Sequence, residues 1–165
     1  MTAEASRRIA VASLALTASA LAAACASAGP SGGSDAEQRI QSVVSETNSG
    51  VEQARREVIR DAASWSRLWS EIHAGRVPLP ALPAVDFGRE MLIAVASGTR
   101  PTAGFSIQVT GVTTRGDRLE VAVLERCPDA DAIVAQVLTQ PVAVVRVARL
   151  AQAPTFTDTR TGACR

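Results

Sequence analysis

Hydrophobic and polar positions follow two different periods along this chain, and the switches between them mark out its elements. Phe105, Ile107 and Val109, and then Leu119, Val121 and Val123, alternate with polar neighbours, the pattern of half-buried strands, and Arg115-Gly116-Asp117 supplies the turn between them. Met91 to Ala96 is continuously apolar, which predicts a buried strand, and Val142 to Val147 behind Pro141 is another strand. Arg39 to Ser45 predicts a first strand, Asn48-Ser49-Gly50 a turn and Arg56 to Arg60 a second strand. Between these strands the period lengthens. Trp65, Leu68, Trp69 and Ile72 fall at i, i+3, i+4 and i+7 of a helix that Asp61 caps and Gly75 ends. The two tryptophans share one face, and an apolar stripe at this spacing is a packing stripe, so both are assigned to the core. Three prolines within Val77 to Pro83 exclude regular structure and predict an extended connector. Ala132 to Leu138 is ambiguous between a strand and a short helix, and Phe156 opens one more strand. The expected fold is α+β: a mainly antiparallel sheet packed against one helix in a single small domain.

The N-terminus changes the picture of where this domain works. Arg7 and Arg8 precede an apolar run from Ile9 to Ala24 that is short for a hydrocarbon core of about 30 Å, which reads as a signal peptide over residues 1–24. Ser6-Arg7-Arg8 also has the arginine pair of a twin-arginine signal, but not the apolar residues that should follow it. Leu21-Ala22-Ala23-Ala24-Cys25 resembles a bacterial lipoprotein cleavage site, with Leu21 one residue further from the cysteine than usual. On that reading Cys25 becomes the lipidated first residue; the alternatives are plain cleavage after Ala24 or after Ala28. Residues 25–38, rich in Gly, Ser and Pro, then form a tether of the kind that separates an anchor from a domain, and residues 39–165 form the domain itself. The expected location is the cell envelope outside the cytoplasmic membrane, with membrane contact through the lipid; a soluble periplasmic or secreted chain is the alternative.

If Cys25 carries lipid, Cys127 and Cys164 remain as an even pair; in an oxidising compartment they form a disulfide, and otherwise stay as two buried thiols. The net charge is +1, the basic residues are arginines with no lysine, and no basic stripe is present, which argues against a nucleic-acid partner. Catalysis has little support. The single histidine, His73, sits near the helix end beside Glu71 and reads as a surface residue, with no base for a nucleophile and no second imidazole for a metal. Asp129 and Asp131 lack the remainder of a calcium loop and read as a solvated turn, while Glu120 and Glu125 are expected to face water or pair with Arg118 and Arg126. No cofactor, no metal and no enzymatic activity are expected.

The stretch Gly98-Thr99-Arg100-Pro101-Thr102-Ala103-Gly104-Phe105-Ser106 stands out as a shaped loop between two strands, because Pro101 fixes its own φ and the two glycines allow backbone conformations closed to other residues. Together with Trp69, Val85-Asp86-Phe87, Leu119-x-Val121 and Thr139-x-Pro141-x-x-Val144, the block Arg100-Pro101-Thr102-x-Gly104-Phe105 resembles the PrcB C-terminal domain family, over roughly Asp61 to Phe156. That family usually has Pro-Thr-Gly-Gly-Tyr in the loop; this chain has Ala103 for the first glycine and Phe105 for the tyrosine.

The resemblance implies an accessory or assembly role beside an envelope peptidase, and it brings no catalytic residues. The partner expected from it is an exported protein, a peptidase in the first instance. Arg100, Pro101, Thr102, Ala103, Gly104 and Phe105 are the candidate partner-binding residues: a charge at Arg100, a hydroxyl at Thr102 and an apolar anchor at Phe105, with Pro101 and Gly104 holding the shape. The same loop is also similar to the Pro-Thr-Thr-Gly-Tyr insert of chagasin-like cysteine-protease inhibitors, which makes inhibition the alternative function. A third possibility is a plain connection whose aromatic residue tucks back into the core.

Overall fold

The computed structural model describes residues 35–164. The signal-peptide and Cys25 expectations, and most of the tether, lie outside the described residues. Eight strands and one helix follow in the order β1 (Ala36–Glu37), β2 (Gln41–Glu46), β3 (Ala54–Ile59), α1 (Ala62–Ile72), β4 (Glu90–Ser97), β5 (Ser106–Arg115), β6 (Arg118–Arg126), β7 (Val142–Ala148) and β8 (Pro154–Thr161). The expected α+β class holds, but the strands form two four-stranded sheets where a single one was expected, ordered β2-β7-β4-β3 and β1-β5-β6-β8. All pairings are antiparallel except β6 with β8, which is parallel.

The two sheets and the helix make three layers, and the hydrophobic pattern explains the order. The β2-β7-β4-β3 sheet lies in the middle. Leu92, Ala94 and Ala96 of β4 and Val142 and Val144 of β7 pack against Trp65, Leu68, Trp69 and Ile72 of the helix. Met91, Ile93, Val95, Ala143, Val145 and Val147 point the other way, onto Ile107, Val112, Leu119, Val121 and Val123 of the outer sheet. A strand covered on both faces has no polar side, hence the continuous apolar run of β4 and the near-continuous one of β7, broken by Arg146. The outer sheet has one wet face, hence the alternation in β5 and β6.

Asp61 caps the helix as expected, its Oδ1 accepting from the Ser64 N–H at 2.8 Å. The helix ends at Ile72, before Gly75, with His73 as the capping residue. Each tryptophan is buried on its apolar side and donates its indole N–H to the proline connector, Trp65 to the Pro83 carbonyl at 3.0 Å and Trp69 to the Pro80 carbonyl at 2.8 Å. Two expectations change at the edges of the domain. Ala36 and Glu37, expected as tether, pair with Thr114 and Thr113 at the end of β5. Residues 132–138 form neither strand nor helix.

Candidate functional site

The loop between β4 and β5 is held on both sides by backbone hydrogen bonds. Gly98 is buried at φ +73°, and a Cβ there would stand 2.7 Å from the Ala54 nitrogen, so the position admits only glycine without local rearrangement. The Thr99 N–H donates to Glu52 O at 2.9 Å. Arg100 and Thr139 exchange both backbone bonds, at 2.7 and 3.0 Å, and the Ala103 N–H donates to Ala135 O at 2.9 Å. The Thr139 hydroxyl, itself buried, donates to Thr102 O at 2.9 Å. Gly104, at φ +91°, lies against Pro128 and Val134, each 3.2 Å from where a Cβ would stand. Segment 134–139 is thus a rail along which the loop runs.

The charge and the ring expected at the surface turn inwards. Phe105 is 8 % exposed, and the Arg100 guanidinium stands 5.6 Å over its ring centroid. Arg100 pairs with Glu125, a carboxylate with 2 % of its side chain exposed, whose other oxygen accepts from Arg160 Nε at 3.1 Å. Burial by itself raises the Glu125 pKa; the neighbouring Ser97 hydroxyl, which closes no hydrogen bond of ordinary geometry, and the Arg100 and Arg160 guanidinium groups outweigh it and hold the carboxyl below its usual range. Arg100 and Phe105 therefore shape the loop from within. Glu125, expected to face water or pair with Arg126, is corrected to a buried anchor. The signal for it was present: Leu119, Val121, Val123 and Glu125 share one period and so one face.

On the outside, Pro101 and Gly104 are exposed and Thr102 and Ala103 half-buried. Beside them three apolar side chains on and just before the rail point into solvent: Ile133 at 102 %, Leu138 at 66 % and Val137 at 52 % relative exposure. The sequence reading missed these three, because an apolar segment without a clear period does not reveal which way it faces. Asp129 and Asp131 are exposed in a turn closed by the Ala132 N–H on Asp129 O at 3.1 Å, as expected. The loop lies where β5 begins, whereas β1 enters where β5 ends, so the N-terminal arm and the loop occupy opposite ends of the domain, about 30 Å apart along a ten-residue strand.

His73, expected at the surface, is buried. Its ring leans on Trp69 at 40°, with centroids 4.1 Å apart, its Nδ1 lies 3.0 Å from Trp69 O, and its Nε2 is 3.5 Å from Glu46 Oε1. Position 73 lies four residues past Trp69 and eight past Trp65, so it continues the same helical face, which is why it faces inwards. Glu120 pairs with Arg115 at 3.2 Å. Cys127 and Cys164 form the disulfide, with Cα atoms 5.2 Å apart, and clamp the chain end to the close of β6. Among the described residues no three His, Cys, Asp or Glu side chains cluster as metal ligands would, and no helix is long and apolar enough to cross a membrane.

In comparison with known proteins, residues 91–148 match the family described as PrcB C-terminal. No curated protein and no solved structure matches the chain. The matched segment runs from β4 to β7 and contains the loop, its rail and Glu125.

Proposed function

Since residues 91–148 of this chain belong to the PrcB C-terminal family, we propose that the protein is an exported, lipid-anchored, non-catalytic binding module that serves as an accessory or assembly subunit of an envelope protease complex. The observation that carries the reading is the exposed apolar row Ile133, Val137 and Leu138 beside the backbone-fixed loop. Apolar side chains that a fold leaves in solvent gain from being covered by a partner. The opposite placement of loop and N-terminal arm supports the same reading: a domain tethered through the residues before β1 would present this surface away from its anchor. Of the six candidate residues, Pro101, Thr102, Ala103 and Gly104 then offer backbone and small side chains to the partner, while Arg100 and Phe105 hold the loop's shape. The inhibitor alternative draws no exposed aromatic from this loop.

The test is co-purification from the native envelope with the wild-type chain and an Ile133→Ser/Leu138→Ser variant. Both side chains are exposed, so the variant should fold with an unchanged unfolding midpoint. The wild type is expected to retain an exported protein that the variant loses. Equal retention by both, or by neither, would overturn the assignment of this surface.

A further inference from the structure

We infer that β8 is a self-complementary edge through which two copies of this chain pair, antiparallel and about a two-fold axis at Thr159. β8 borders the outer sheet and pairs with β6 alone, over eight consecutive residues without a bulge. Its one proline, Pro154, is at the first position. Edges of this length are usually blunted by bulges, interior prolines, a covering element or inward-pointing charges; among the described residues no bulge, interior proline or covering element protects β8, and its inward charges, Asp158 and Arg160, are each already paired.

The backbone direction can be read from one bond. Thr161 O accepts from the Cys127 N–H at 2.8 Å, so the odd-numbered residues of β8 turn their backbone groups towards β6. Phe156, Asp158 and Arg160 turn theirs outward, and among the described residues no group bonds to them. A second copy laid antiparallel along this edge must oppose even residues to even residues to form hydrogen-bonded pairs. Centring on Asp158 opposes two aspartates, and centring on Arg160 opposes two arginines. Centring on Thr157 opposes Arg160 to Pro154, which has no N–H to give. Centring on Thr159 opposes Asp158 to the second copy's Arg160, twice by symmetry, with Thr157 facing Thr161 and Thr159 facing its own counterpart.

The side chains agree with this register. Asp158 and Arg160 are 42 % and 63 % exposed, and each already has an inner partner: Asp158 accepts from Arg56 Nη2 at 2.6 Å, and Arg160 donates to Glu125. Pairing would extend these into a row of alternating sign, Arg56, Asp158, the second copy's Arg160 and the second copy's Glu125. No charge has to give up its present partner. On the outer face, Thr155, Thr157, Thr159 and Thr161 are exposed and add no bulk that would hinder a neighbouring strand. This surface lies on a different edge from the apolar row, and the inference does not rest on the proposed function.

The test is oxidative cross-linking of the exported chain carrying Thr159→Cys, beside Thr157→Cys and the wild type with its native cysteines. Facing residues of a non-hydrogen-bonded antiparallel pair have Cα atoms about 4.5 Å apart, within the range a disulfide spans. In this register two copies of residue 157 are offset by four residues, roughly 13 Å. Thr159→Cys is expected to form a covalent dimer on the order of tenfold faster than Thr157→Cys, since only the former is held in reacting geometry. Sedimentation of the wild type should show a dimer growing with concentration. Equal cross-linking at both positions would mean random collision and overturn the register. A wild type that stays monomeric into the millimolar range, with no cross-linking at residue 159, would overturn the pairing altogether.

Discussion

Glu125 decides the shape of the loop, and its effect can be measured through pH. Its folded-state pKa is depressed, so the stability it contributes is present above the ordinary carboxylate range, near 4.3, and is lost as pH falls through the folded-state value. Acid unfolding followed by circular dichroism should therefore show a loss of stability below about pH 4 that is missing from Glu125→Gln. At neutral pH that variant should be destabilised by roughly 2 kcal/mol in chemical denaturation, because a buried charge-assisted bond to Arg100 is weakened. Gly98→Ala should cost about as much, through a left-handed backbone and a Cβ driven onto Ala54. Much of this was legible in the sequence: the Gly-Pro-Gly punctuation marked the loop, and Cys127 and Cys164 marked the clamp. The roles of Arg100 and Phe105 were not, because whether a charge or a ring points outward depends on what lies beneath it, and the buried carboxylate is 25 residues away.

Among the elements, the helix and its proline connector depend on each other. The connector has no regular hydrogen bonding and is fastened to the helix by the two indole N–H groups. Trp69→Phe keeps the apolar contact and removes one of these bonds, so it should cost about 1 kcal/mol and speed proteolytic cleavage within residues 77–83, read by limited proteolysis against the wild type. Periodicity revealed the helix, its cap and the strands β4 to β7, since burial imposes the spacing it imposes in any layered domain. It did not resolve residues 132–138. They pair neither as a strand nor as a helix, and the bond that holds them to the rest of the domain, Ala103 N–H to Ala135 O, comes from a loop 32 residues upstream in the chain.

In the whole molecule, the disulfide and β8 close the outer sheet. β8 is the last strand in the chain, runs parallel to β6, and is fastened beyond its end by Cys164 to Cys127, 37 residues away. A loop of that size gives the cross-link about 4 kcal/mol in the chain-entropy account, so reduction should lower the midpoint of guanidinium unfolding accordingly, with the β8 amides the first to gain hydrogen exchange. The domain also has two distinct ends, one receiving the N-terminal arm and the other presenting the loop and the apolar row. By itself the sequence determined the periods, and through them the helix, the buried strand β4, the strand β7, the half-buried hairpin, the α+β class and the family likeness of the loop block. The tertiary structure alone decided that the strands split into two sheets, that β8 runs parallel, that Arg100 reaches Glu125 and that Ile133, Val137 and Leu138 lie outside. The physical reason is that a period records which residues share a face, a local property of the backbone, whereas what that face meets is set by pairings between distant segments.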